Sequence, residues 1–140
     1  MLYVLILFNN MKIDIIAQTQ ANTDYRKVIA TGADSQLVLM NLQPGDDVGE
    51  EVYGEVDQIT VVVDGAGRLE MPGEDGPIEV GDCIFAPAGV RHNIINDSEG
   101  ELKLYTIYAP PEYEPGSVQA EDEDETEMSD MDYVFNDYDE

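Results

Sequence analysis

The chain has one imidazole, His92, and one thiol, Cys83. An imidazole with a pKa of about 6.5 exchanges protons near neutrality, so His92 is the first candidate for chemistry. It stands in a run of fixed spacing: Gly81, five residues, Pro87, one residue, Gly89, two residues, His92, three residues, Asn96. Gly81-Asp82 is expected to turn the chain into a buried strand, and Pro87-Ala88-Gly89 to turn it back, so that His92 opens the next strand facing inward. Glu51 and Tyr53, a carboxylate and a phenol, are two residues apart and share one face of an extended segment. Further on, Gln58 shares its face with Thr60 and Val62, while Asp57 faces outward. The outward acids Glu50, Glu55 and Asp57 are read as solvated. Arg91 points away from His92 and receives no role. Cys83 lies in a buried-looking strand with no basic neighbour in sequence, so it is read as a structural thiol.

These residues must be positioned by short strands. Lys27–Thr31, Gln36–Leu42, Glu51–Tyr53, Gln58–Val63, Arg68–Met71, Ile78–Val80, Cys83–Ala86, His92–Asn96 and Leu102–Tyr108 each combine β-branched or apolar residues with turn chemistry on either side. Gly32-Ala33-Asp34, Pro44-Gly45-Asp46-Asp47, Asp64-Gly65 and the run 72–77 (PGEDGP) supply the turns. No helical periodicity persists in this region. Many short strands at such spacing mean a sandwich or a barrel.

The charge narrows the partners. Thirty-one acids oppose six bases, for a formal charge of -25, and 11 of the acids lie in 121–140. Such a field repels phosphate backbones and anionic lipid, so neither nucleic acid nor membrane is expected as a partner. A salt-adapted surface and an acidic domain with an acidic tail are the two readings of this composition, and the concentration of charge at one end favours the second. Residues 119–140 are too poor in apolar groups to bury and are expected to be a disordered tail. Its aromatic end, Tyr133-Val134-Phe135 and Tyr138, is a candidate docking peptide for a protein partner. The apolar opening, 1–8 (MLYVLILF), is too short to span a bilayer and lacks the basic flank of a signal peptide. Met11 is the expected start, making 1–10 an extension before a domain over 11–118; the alternative is an edge strand. A lone cysteine excludes an intrachain disulfide and fits a cytoplasmic protein.

The run from Gly81 to Asn96 resembles the second motif of the cupin superfamily at every fixed position. The first cupin motif is matched in spacing alone. Gly45 and Gly65 stand where its flanking glycines belong, and its three ligand positions fall on Glu51, Tyr53 and Gln58 in place of His, His and Glu. The stretch 102–111 (LKLYTIYAPP) is similar to the closing strand of small single-domain cupins of the mannose-6-phosphate isomerase-like kind. The resemblance covers roughly 36–111. It implies an all-β fold, a double-stranded β-helix or jelly-roll barrel, in which Glu51, Tyr53, Gln58 and His92 converge near one mouth.

In the family that place holds Mn, Fe, Zn or Ni. Here Glu51 and His92 are good ligands, whereas Gln58 is a weak one and Tyr53 must first lose a phenolic proton. A polar pocket of mutually hydrogen-bonded groups is therefore preferred to a tight metal site, with a weakly held divalent metal as the other option. Without a metal, Glu51 and His92 are the candidate catalytic pair for general acid–base work, with Tyr53, Gln58 and Thr60 lining a substrate pocket. Three functions stay open: a cupin that binds a sugar or small acid, a metal-dependent isomerase or dioxygenase, and an interaction scaffold working through the tail. Small cupins commonly pair by barrel-edge strands, so a homodimer is expected, with 11–17 (MKIDIIA) as the pairing strand.

Overall fold

A computed structural model of the chain describes residues 10–49 and 54–123. In chain order the described elements are a helix, α1 (Ile15–Ala21), and the strands β1 (Arg26–Thr31), β2 (Gln36–Leu42), β3 (Asp57–Asp64), β4 (Ala66–Glu70), β5 (Gly76–Glu79), β6 (Cys83–Ala86), β7 (Asn93–Ile95), β8 (Leu102–Ala109) and β9 (Val118–Gln119). They form a six-stranded sheet of order β6-β3-β8-β2-β1-β9 and a three-stranded sheet of order β5-β4-β7. The pairings are antiparallel. Strand spacing anticipated a sandwich or a barrel and the cupin resemblance its jelly-roll form; the strands follow, with boundaries moved by a residue or two. The strand expected at Glu51–Tyr53 and the tail beyond residue 123 lie outside the described residues.

The core lies between the two sheets. Val38, Met40, Leu42, Val62, Ile84, Leu102 and Leu104 reach it from the larger sheet, and Leu69, Ile78 and Ile94 from the smaller. Burying each such side chain contributes about 1.5–3 kcal/mol. The glycines of both motifs have a geometric reason: Gly45, Gly65, Gly81 and Gly89 all have positive φ, between 85° and 97°. Gly65 is further constrained, because a Cβ there would sit 2.1 Å from the Glu101 carbonyl oxygen.

Two expectations are corrected. Residues 11–17 do not form an edge strand, because the chain becomes helical at Ile15. The Asp14 side chain accepts from Ala17 N (3.0 Å) and caps the first turn, and Thr19 Oγ1 bonds back to the Ile15 carbonyl (2.7 Å). That local capping outweighs the β preference of Ile15-Ile16. The helix packs on the outer face of the large sheet, against β3 and β8. Lys103 Nζ donates to the Gln20 carbonyl at its C-terminal end, and Asn41 Nδ2 donates to the Asn22 carbonyl (3.0 Å). The second correction is Cys83, which is exposed on the outer face of β6. Beyond the expected strands, β9 pairs with β1, and Tyr25 N donates to the Ala120 carbonyl (3.0 Å), so backbone pairing continues to Ala120. Among the described residues no helix is long and apolar enough to cross a membrane.

Candidate binding site

Strand register sorts the inward side chains of the large sheet into rows. Gln36, Tyr108, Gln58 and Ala86 lie side by side at one end. The next row is Val38, Thr106, Thr60 and Ile84, in which the two threonine hydroxyls share a buried hydrogen bond of 2.8 Å. Below these come Met40, Leu104 and Val62, and then Leu42 and Leu102, all apolar. The interior therefore has a polar end and an apolar floor. The inward positions of β2, β3, β6 and β8 carry no charged side chain.

His92 is at the polar end. Asn96 marks the floor, since its Nδ2 donates to the Leu42 carbonyl (2.8 Å). Four residues of extended chain carry His92 roughly 13 Å back from there. The two motifs are tied together by a contact absent from the sequence reading. Ala88 N, in the turn before His92, donates to Asp57 Oδ1 (2.8 Å), next to Gln58. Asp57 is thus half-buried and bonded, and its reading as a solvated acid is corrected. The segment Gly45–Val48 runs antiparallel to β7: Gly45 N bonds Asn96 O (2.8 Å) and Val48 N bonds Ile94 O (3.0 Å). It is directed toward the His92 end where it leaves the described residues. Glu50, Glu51 and Tyr53 lie outside them.

The electrostatics of His92 follow from its surroundings. It is 3% exposed, and its Nδ1 is buried with no hydrogen-bond partner among the described residues. Burial lowers its pKa below 6.5, against a smaller opposing effect of a hydrogen bond with the Val90 backbone. The ring is therefore neutral at pH 7. It is suited to accept a proton or a hydrogen bond, and is a poor proton donor there. As metal ligands the described residues do not suffice: no group of three or more His, Cys, Asp or Glu among them is placed to hold an ion, and His92 with the amide of Gln58 is a weak donor pair.

Of the residues singled out from sequence, Gln58, Thr60 and His92 are buried, and Gln58 and Thr60 share the inward face of β3. Tyr108, Thr106 and Gln36 were missed. The first two share the inward face of β8 with Leu102 and Leu104, a period-two pattern visible in LKLYTIY. Gln36 gave no signal, because its partners are remote: Nε2 donates to the Tyr113 carbonyl (2.7 Å) and Thr31 Oγ1 (3.0 Å), and Oε1 accepts from Glu112 N (3.0 Å) and Tyr113 N (2.9 Å).

Fold, motif glycines and interior histidine together describe a cupin, and the profile of the family described as "Cupin domain" matches residues 38–108. The chain belongs to the cupin family. Protein L612 of Acanthamoeba polyphaga mimivirus is 37% identical over 111 residues, 76% of this chain and 69% of the viral one. The crystal structure of BH2720 from Bacillus halodurans superposes with a TM-score of 0.79 at 32% identity, covering 81% of this chain and 91% of the other. The oxalate-binding protein of Thermotoga maritima is 31% identical over 68 residues, 49% of this chain and 56% of that protein.

Proposed function

We propose that this cupin binds a small polar molecule, a sugar or a small acid, at the polar end of the barrel, against His92, Gln58, Thr60 and Tyr108, with Glu51 and Tyr53 completing the pocket. The observation that carries this reading is the unpartnered, buried Nδ1 of His92. A buried polar atom without a partner costs about 1–3 kcal/mol, and a ligand that supplies the partner recovers it. The name of the Thermotoga relative supports a small acid. The inward faces of β2, β3, β6 and β8 supply no cation and Glu51 would add a negative charge, which favours a hydroxyl-rich neutral molecule, because burying a dianion without a cation is costly. A weakly held Mn, Fe, Zn or Ni ion on Glu51, Tyr53, Gln58 and His92 would shift that preference toward the acid.

Thermal stabilisation by a panel of monosaccharides and small mono- and dicarboxylates tests the reading, run on the wild type and on His92→Leu, each with and without added divalent metal. A ligand shift that disappears in His92→Leu supports it. Shifts identical in both proteins reject the site. Elemental analysis of protein purified without an affinity tag decides the metal.

A further inference from the structure

An open sheet edge is a template for a further strand, and of the four edges among the described residues three are closed. The strand β9 is two residues long. Along β7 the edge is occupied by Gly45–Val48. On β5, Asp82 Oδ2 accepts from Glu79 N (2.8 Å), so the Glu79 N–H points away from β4. Pro77, two residues earlier, faces the same way and has no N–H to offer. The edge of β6 carries no such device. Val62 N donates to Asp82 O (3.0 Å), and ladder bonds recur at every second residue. Ile84 and Ala86 therefore bond to β3, while the N–H and C=O groups of Cys83 and Phe85 face away from the sheet. Both residues are exposed, Phe85 by 54%. This edge borders a groove of ≈ 460 Å³ between β6 and β5. The buried Leu69, Ile78 and Ile84 give it an apolar floor, and Phe85, Glu74 and Asp82 stand around it.

We propose that this groove takes an extended segment of a partner protein, apolar residues alternating with arginine, which adds to β6 as a further strand. In such pairing the main-chain bonds supply affinity and alternate side chains supply specificity. Cys83–Ala86 offers about 13 Å of edge. One set of incoming side chains turns down onto Leu69, Ile78 and Ile84, which calls for apolar residues. The other set lies beside Phe85, where an arginine packs its stem and guanidinium on the ring and reaches Glu74. The formal charge of -25 draws a cationic segment and repels an acidic one, the chain's own residues 121–140 included. The uncharged segment 1–8 is a rival that brings no cation to Glu74 and Asp82. A second copy of β6 would bring further carboxylates to them.

Fluorescence anisotropy of a labelled hexapeptide of alternating arginine and valine, titrated with the full chain at physiological ionic strength, tests the groove. Saturable binding is expected, with slowed amide exchange at Cys83 and Phe85. The same peptide with every backbone nitrogen methylated keeps its charge and side chains and should not bind. Phe85→Lys and Glu74→Lys, both at exposed positions, should each weaken binding about tenfold with an unchanged circular dichroism spectrum. Val118→Glu, on β9 at the far edge of the sheet, and His92→Leu, inside the barrel, should leave it unchanged. Equal binding of the methylated peptide would reduce the attraction to charge and overturn the proposal, and so would a wild type that binds neither. Binding that appears only in Leu5→Asp gives the edge to segment 1–8, and binding that appears only on dilution gives it to a second copy; either result overturns the partner.

Discussion

His92 and Asn96 lie four residues apart, both interior and both buried, and their hydrogen bonding is opposite. Asn96 is 0% exposed and fully engaged: Nδ2 donates to Leu42 O and Gly100 O (2.8 Å each), and Oδ1 accepts from Ser98 N (2.9 Å) and Ser98 Oγ (2.7 Å). His92 keeps a ring nitrogen buried and unpaired. The first pattern fastens a turn to the floor of the barrel. The second pattern leaves a polar demand that the described residues do not meet. Two positions of one motif thus divide between holding the fold and offering a contact.

The largest effect is expected at the fully paired residue. Asn96→Ala strands the Leu42 and Gly100 carbonyls and the Ser98 donors, and should lower stability by about 3 kcal/mol in urea denaturation. Gln36 separates pairing from position, since it shares the polar end with His92 yet is bonded four times. Gln36→Ala should therefore resemble Asn96→Ala, at about 2–3 kcal/mol; a loss under 1 kcal/mol would show that location matters more than partners. His92→Leu should change stability by no more than about 1 kcal/mol, and toward greater stability, because it removes an unpaired polar atom. A loss of several kcal/mol would make His92 a structural residue.

A smaller effect appears in the pH dependence. Folding lowers the pKa of His92, so below pH 6.5 the unfolded chain takes up a proton that the folded chain does not. Stability therefore falls as pH drops from 6.5 toward the lower folded value, and is unaffected by this group above 6.5. That slope should be missing from His92→Leu, and the lone histidine gives a single imidazole resonance by which to follow the titration. The smallest effect belongs to Glu101. Hydrogen bonds from Asn41 (3.0 Å) and Gln43 (3.2 Å) hold its carboxyl below the ordinary carboxylate range. Its contribution is present above the unfolded pKa and is lost as pH falls through the lower folded value. Being largely solvated, it should give Glu101→Gln only a slight change in midpoint.

The barrel was legible because turns leave chemical traces. Gly45, Gly65, Gly81 and Gly89 occupy backbone conformations that other residues adopt at a cost, so their spacing carries topology directly. The inward parity of Gln58, Thr60 and His92 followed from the same spacing. Cys83 did not, because every residue of CIFA is apolar and nothing in the strand marks its face; the register of Ala86 against Gln58 does. The helix was missed because a single aspartate cap redirects a β-branched pair. Asp57 was misread because its partner, Ala88 N, is 31 residues away. Long-range partners are set by packing, and packing is what a linear pattern does not encode.

The polar end and the apolar floor of the barrel bear on how such a protein changes over generations. The side chains that hold the two sheets together and those that would meet a ligand share the inward face and occupy different stretches of the same strands. If the proposed pocket is right, substitutions at Gln58, Thr60 or Thr106 would alter what is recognised while Leu42, Leu102 and Leu104 keep the chain folded. The barrel sets robustness and innovation largely apart along its own axis, with Gln36 the point at the polar end where the two meet.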